Sequence, residues 1–493
     1  MSILRHGRLG SQPLDVAEYT SSIKSDVHII KPVIKINAAH VVMLTEEGII
    51  SPCEGARILK ALTRIDPHMK LDPRLEDVHM NVEAKVIKEL GETVGGKLHT
   101  GKSRNDQVSA AIRMTLRSHI LDIIEALTRL QHVILARSQR HLSTVMPGYT
   151  HLQHAQPVTL AHHLLAYYDA FERDIQRLMD AYRWVNLSPM GAAALATTTF
   201  KLDRRRVAEL LGFEGLIEHS MDAVSARDFA VKTLSDLSLV MNNLSQLAEE
   251  LILWSTTEFN VVEIPDEFTS TSSIMPQKKN PVVLELVRAK AKRVYGDLFT
   301  SLHMLRGLPL SYNLDLQEIT PHVWNSCQIT LSSIKVMTAI LAKVKFNVNR
   351  LLELVARDFS TATDLADILV RELNIPFRTA HRIVGSLVRR LIAEDKALED
   401  LTPEMVGKII RKVTGRKVTV NQKILATIVD PLKSISARTV TGGPAPNEVL
   451  RMIRARLIRI RKHKSWHKTK VNFLKQTDQK LAKAIREISK TSA

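Results

Sequence analysis

Two cysteines, Cys53 and Cys327, in a chain of 493 residues leave no material for a disulfide framework. Aromatic residues make up only 4% of the chain, and 19 glycines and 18 prolines are too few for low-complexity or linker-rich organisation. No apolar run approaches the roughly 18 residues that a membrane span needs, and Met1–Arg8 has no apolar stretch long enough for a signal peptide. The expectation is a soluble, cytoplasmic protein with no membrane partner. Acidic residues are also in short supply, 51 against 69 Lys and Arg, which gives a net charge of +18. The imbalance is local. From Arg451 to Ala493, fourteen Lys and Arg face only Asp478 and Glu487, so +12 lies in the last 43 residues. Such a tail has the charge to attract a polyanion. Its only aromatics, Trp466 and Phe473, offer little for bases to stack on, which argues against nucleic-acid binding.

What is present is helical periodicity. Leu237, Val240, Met241, Leu244, Leu247, Ala248 and Leu251 recur at steps of three and four, and Ile123, Leu127, Leu130 and Ile134 repeat the pattern at a spacing suited to long bundles. Strand-like alternation is scarce, so the fold class expected is all-α: three helical domains around a central long-helix bundle. Length alone suggests about three domains. Placed by motif, they are an N-terminal helical domain over 1–105, a central bundle over 106–359 with a reactive loop at 270–281, and a C-terminal helical domain with the basic tail over 360–493. Val471, Leu474, Leu481, Ile485 and Ile488 give the tail an apolar stripe that predicts a docked helix with its lysines in water.

The reactive loop is Thr271-Ser-Ser-Ile-Met-Pro-Gln-Lys-Lys-Asn-Pro281. Ser272 and Ser273 offer nucleophile or base oxygens, Lys278 and Lys279 can lower a hydroxyl pKa or hold a carboxylate, and Pro276 and Pro281 interrupt any helix. An ordinary surface loop can have the same composition, so the segment does not identify chemistry by itself. Ser103-Arg-Asn-Asp106 groups a hydroxyl, a guanidinium and an amide, a set suited to a substrate bearing carboxylates, although an N-cap with a salt bridge explains it equally. His151, His154, His162 and His163 raise the question of a metal site. No Cys or acidic ligand lies at matching spacing in that stretch, so none is expected.

The loop pattern Ser-Ser-x-Met-Pro-x-Lys-x-Asn resembles the signature of the fumarase/aspartase superfamily. Its Gln-Lys-Lys version, together with Thr100-Gly-Lys-Ser-Arg-Asn-Asp-Gln-Val108 and Gly148-Tyr-Thr-His-Leu-Gln-His-Ala-Gln-Pro157, is similar to the argininosuccinate lyases within it. Fainter likeness continues through Ala362–Asp367 and Gly442–Pro446. The resemblance implies a homotetramer with a 20-helix core. It also implies a cofactor-free β-elimination that cleaves argininosuccinate to arginine and fumarate in arginine biosynthesis. That reaction removes a proton next to a carboxylate and builds a dianionic aci-carboxylate, so it needs a positioned base, donors around the carboxylate and an acid for the departing nitrogen.

Carried over residue by residue, the resemblance makes Ser272 the base, Lys278 a catalytic holder of the intermediate, His151 a proton donor to the leaving guanidino nitrogen and Glu285 the acid that orients it. As substrate-binding residues it implies Ser22, Asp77, His79, Ser103, Arg104, Asn105, Thr150, Arg227, Asn280, Tyr312 and Gln317; Asp26 matches a further family position. Whether His151, Thr150 or a water delivers the proton stays open. The chain departs from the family pattern at three places: Thr271 replaces a glycine, Lys102 an arginine, and Thr320 a substrate-binding lysine. The alternatives are another fumarate-releasing lyase of the superfamily, such as adenylosuccinate lyase or fumarase, and a non-catalytic crystallin-like structural protein.

Overall fold

In the computed structural model, which describes residues 8, 10, 12–356 and 358–491, nearly all regular structure is helix. The N-terminal part brings α1 (Ile30–Glu46), α2 (Pro52–Thr63) and α3 (Val78–Leu90) together around Val33, Val41, Leu59 and Val82, all of them fully buried. Ser51 starts α2 with a capping box. Its Oγ accepts from Glu54 N at 3.3 Å, and the Glu54 carboxylate accepts from Ser51 N at 3.1 Å.

The centre is a bundle of α4 (Arg104–Arg140), α5 (Leu160–Val185), α6 (Asp228–Trp254), α7 (Val282–Leu305) and α8 (Ile319–Lys343). The 37 residues of α4 span about 55 Å at 1.5 Å per residue. The stripe Leu237 to Leu251 lies along α6 and is buried throughout, as are Ile123, Leu127, Leu130 and Ile134 on α4. Each stripe buries its apolar face against neighbouring helices, so the periodicity read from the sequence is the packing itself.

One antiparallel hairpin interrupts the helices. Strand β1 (Val145–Thr150) pairs with β2 (Gln153–Thr159), with Thr150 opposite Gln153. The turn residues His151 and Leu152 have φ of 56° and 57°, which makes a two-residue turn of the primed kind without glycine.

A second, separate apolar cluster is built around Leu365, Ile383, Leu387, Val406 and Ile410, within residues 359–429. The basic tail does not join it. It is the distal part of one 46-residue helix, α9 (Pro446–Thr491), that returns to the main core and lies against α1, α2, α4 and the helix Arg204–Leu211. Leu481 is buried and Val471, Leu474, Ile485 and Ile488 pack against the main cluster, so the tail's apolar stripe docks on the chain's own surface. Among the described residues, no helix is long and apolar enough to cross a membrane.

Candidate active site

The turn that precedes α3 and the start of α4 build the wall of a cavity of about 330 Å³. Ser103 is the N-cap of α4: its Oγ accepts from Asn105 N at 3.3 Å, and Asp106 accepts from Ser103 N at 3.2 Å. Capping therefore uses the Ser103 hydroxyl and points the next two side chains, Arg104 and Asn105, to the cavity wall. Seven of the expected binding residues meet there: Ser22, Asp77, Arg104, Asn105, Arg227, Tyr312 and Gln317.

The cavity is wired before any ligand arrives. Arg104 Nη1 pairs with Asp77 at 2.9 Å and with Glu76 at 3.1 Å. Ser22 Oγ donates to Asp26 at 2.7 Å, and Val78 N donates to the same carboxylate at 3.0 Å. Burial pushes the Asp26 carboxyl up to about 7 in spite of these donors. Asn105 Nδ2 donates to Ala194 O at 3.1 Å, and Gln317 Nε2 to Thr20 O at 3.3 Å. Arg227 is 3% exposed. Its Nη1 donates to Val224 O and Ala226 O, while Nε and Nη2 have no protein partner among the described residues. Burial draws its guanidinium down to about 10.

Thr320 lines the same cavity, so its departure from the family pattern falls on the wall itself, where Arg104 and Arg227 supply the positive charge. Glu76 is a wall residue that no motif in the sequence marked, although it directly precedes Asp77. Its φ of 63° is unusual for a side chain of that size and is compatible with the hold that Arg104 has on it.

The remaining expected residues lie elsewhere. His79 is buried and does not line the cavity, neither ring nitrogen has a partner among the described residues, and burial takes its imidazole down to about 4. Its placement is that of a neutral packing residue rather than of a group facing the cavity. Thr150 and His151 stand at the exposed end of the hairpin, and Thr150 lines a different, open cleft with Tyr149, His154 and Asp358. Lys278 is exposed and Asn280 half-buried in the reactive loop, and Glu285 is exposed on the first turn of α7.

That loop is closed at its neck by paired bonds between Ser270 and Asn280, at 3.0 and 2.7 Å. Inside it, Ser272 Oγ accepts from Ile274 N at 3.3 Å and from Met275 N at 3.1 Å. Two backbone donors aimed at one hydroxyl oxygen would stabilise its ionised form. Lys279 is engaged with Asp266 at 2.6 Å, whereas no ion pair holds Lys278 among the described residues. The neighbouring histidines are also spoken for. His154 Nδ1 meets Asp358 at 2.6 Å, His162 Nε2 meets Gly442 O at 3.0 Å and His163 Nε2 meets Glu250 at 2.7 Å, so each is held by a different element.

The comparisons with known proteins agree with one another. A family model described as lyase matches residues 12–296, and one described as argininosuccinate lyase C-terminal matches 359–435. Argininosuccinate lyase of Methanocaldococcus jannaschii is 49% identical over 484 residues, 97% of this chain and 99% of the relative. The enzyme of the same name from Methanothermobacter thermautotrophicus is 48% identical over 451 residues, 90% and 96% respectively. Among solved structures, EDDS lyase in complex with formate superposes with a TM-score of 0.89 at 32% identity, covering 98% of this chain and 97% of that one. A class II fumarase from Schistosoma mansoni, at 15% identity and a TM-score of 0.70 over 87% and 96%, shares the fold.

Proposed function

The chain belongs to the argininosuccinate lyase family and from that premise we propose that it splits argininosuccinate into arginine and fumarate by β-elimination, as a cytoplasmic step of arginine synthesis. The observation that carries the substrate is the 49% identity to a named argininosuccinate lyase along 97% of the chain. Homologues of that name favour this substrate over those of the other superfamily lyases, and the retained Ser272, His151, Lys278 and Glu285 favour an enzyme over a crystallin-like structural protein.

Ser272 is the base. Ionised under the pull of Ile274 N, Met275 N and the charge of Lys278, it takes the succinyl proton next to the carboxylate. Lys278 and Asn280 hold the dianion that forms, and Thr150 contributes a further donor. His151, oriented by Glu285, delivers a proton to the guanidino nitrogen as the C–N bond breaks. Ser22, Asp77, Arg104, Asn105, Arg227, Tyr312 and Gln317 hold the substrate; Ser103 acts by fixing the start of α4, and His79 by filling the space behind it.

Among the described residues, none of the hairpin or the reactive loop lines the cavity of the same chain, which supports a site completed by further copies. A homotetramer supplies them. The exposed side of α7 supports this reading, because Tyr295, Phe299 and Leu302 are 42%, 66% and 49% exposed at steps of four and three, an apolar stripe on a helix of the central bundle. The divisions near Asn105 and Ser360 then separate the substrate-holding head, the assembling bundle and the C-terminal domain.

The test is the rise in fumarate absorbance on adding argininosuccinate, with adenylosuccinate and malate as parallel substrates. Fumarate from argininosuccinate alone is expected. Turnover of adenylosuccinate or malate in its place would sink the reading.

A further inference from the structure

Behind the cavity wall lies a buried group with no role in the chemistry described so far. Gly101, at φ 71°, turns the chain inward after the short turn Gly96–His99, and Lys102 follows with its side chain only 7% exposed. Its Nζ donates to Asn37 Oδ1 on α1, an oxygen that also receives Gln107 Nε2 from α4 at 3.4 Å. A buried ammonium needs compensating negative charge. Two carboxyl groups act on it through space, without an ion pair among the described residues: Glu83 on α3, itself held by His99 Nδ1 at 3.0 Å, and Asp106 on α4, which burial pushes up to about 7. The other titratable groups whose charge acts with it are His40 and His79, both buried and neutral, and His99.

Asp106 holds the same turn of α4 through the backbone. Fully buried, it accepts from Ser103 N at 3.2 Å, Gly191 N at 3.2 Å and Ala193 N at 2.9 Å. It therefore clamps the first turn of α4 to the loop 189–194. From that loop, Ala194 O accepts Asn105 Nδ2. Lys102 and Arg204 are the cations whose charge acts with Asp106. If Asp106 loses its charge, its lone pairs hold three backbone donors less strongly.

We propose that Lys102 is a positioning residue for the lyase reaction: its buried ammonium, bonded to the Asn37 oxygen that also receives Gln107, ties the start of α4 to α1 so that Arg104 and Asn105 meet the substrate in register. The role rests on the cavity being the substrate site. Lys102 touches neither substrate nor reacting atoms, so its effect falls on binding more than on the chemical step. Burial lowers the ammonium from its ordinary value to about 8, so the charge is present at neutral pH and is lost as the pH rises through that value.

The experiment compares wild type, Lys102→Met and Lys102→Arg. Lys102→Met is expected to raise KM for argininosuccinate by about tenfold while kcat changes by less than about threefold. Wild type should show a rise in KM above about pH 8, and Lys102→Arg, whose charge does not titrate in this range, should restore KM at pH 7 and remove that alkaline rise. Amide hydrogen exchange supplies a readout that does not depend on turnover: residues 103–107 and 190–194 should exchange faster in Lys102→Met and at the wild-type rate in Lys102→Arg. Wild-type KM and exchange in Lys102→Met would overturn the proposal. If Lys102→Met does not fold, an alkaline limb that persists unchanged in Lys102→Arg would overturn it. Failure of wild type to cleave argininosuccinate would instead strike the functional reading and leave the exchange comparison to judge Lys102.

Discussion

The cavity under α4 and the reactive loop are built on opposite principles. In the cavity, most of the polar side chains already have partners, Arg227 Nε and Nη2 excepted: Arg104 holds Asp77 and Glu76, Ser22 holds Asp26, and Asn105 and Gln317 hold carbonyls. In the loop and the hairpin tip the key groups are displayed. Ile274 is 83% exposed beside Ser272, Leu152 is 77% exposed beside His151, and the tip keeps two non-glycine residues at positive φ. Such conformations persist only when the surroundings hold them, and they concentrate at functional sites. The difference suggests a division of labour. In the proposed homotetramer, the cavity of one chain recognises the substrate and the reacting groups acquire their surroundings from other copies.

The largest effect expected from breaking that division is at Ser272. Ser272→Ala removes the proton acceptor from the loop and leaves the cavity untouched, so kcat should fall on the order of a thousandfold or more while arginine still binds with near-normal affinity. Steady-state rates and calorimetry with arginine check both halves. Ser273→Ala should be much milder, because Ser273 holds neither of the backbone donors that face Ser272. A reversed order would move the base by one position.

Mixing sharpens the comparison further. Arg104→Met damages the cavity and Ser272→Ala the loop, so each homotetramer alone should be nearly inactive. If the two regions of one site come from different chains, unfolding and refolding an equal mixture leaves about one site in four with both regions intact. Activity should return to roughly a quarter of wild type. A mixture no more active than its parents would place both regions in the same chain.

A smaller but diagnostic effect concerns the proton donor. His151→Asn and Glu285→Gln act on one step, so the double variant should lose much less than the product of the single losses, each of which is on the order of a hundredfold. Full multiplication of the two losses would separate the pair.

How far the sequence reveals this design depends on whether the determining interactions are local. The stripe Leu237 to Leu251 states its own helix and buried face, and the Ser103-x-x-Asp106 box marks the start of α4 because capping is settled within four residues. The cavity residues could be grouped only through the family resemblance, since Ser22, Arg104 and Gln317 come together through folding and not through spacing. The hairpin escaped notice for a physical reason. Its turn is His151-Leu152, without the Asn-Gly or Asp-Gly that usually supplies two positive φ values, so no turn signal marks it. The destination of the tail was equally hidden. Its stripe predicts that it docks, but the receiving surface on α2 and the helix Arg204–Leu211 lies hundreds of residues away in the chain.

The tail is also where the smallest catalytic effect is expected. Distal to His463, α9 places Trp466 edge-on against Tyr182 at 5.4 Å, seats Leu474 over Gly212 and buries Leu481 and Ala484. Lys470 pairs with Glu214 at 2.5 Å, Lys480 with Glu209 at 3.2 Å, and Asp478 with Lys35 at 2.5 Å. The ion pairs lie in or near solvent and contribute little individually. The apolar contacts matter more, at about 1 to 3 kcal/mol for each side chain that is fully buried. None of these residues lines the cavity, the hairpin or the reactive loop. Truncation after His463 should therefore lower Tm by several degrees, or weaken assembly, by uncovering α2 and the helix Arg204–Leu211. In the fraction that remains folded and assembled, kcat per site should stay within about twofold of wild type. Calorimetry, size-exclusion chromatography and fumarate release on the same preparation separate the two effects. Lost turnover in a truncated protein that assembles fully would show that the distal helix reaches a site in another copy, and the tail would then belong with the reacting groups and not with the scaffold.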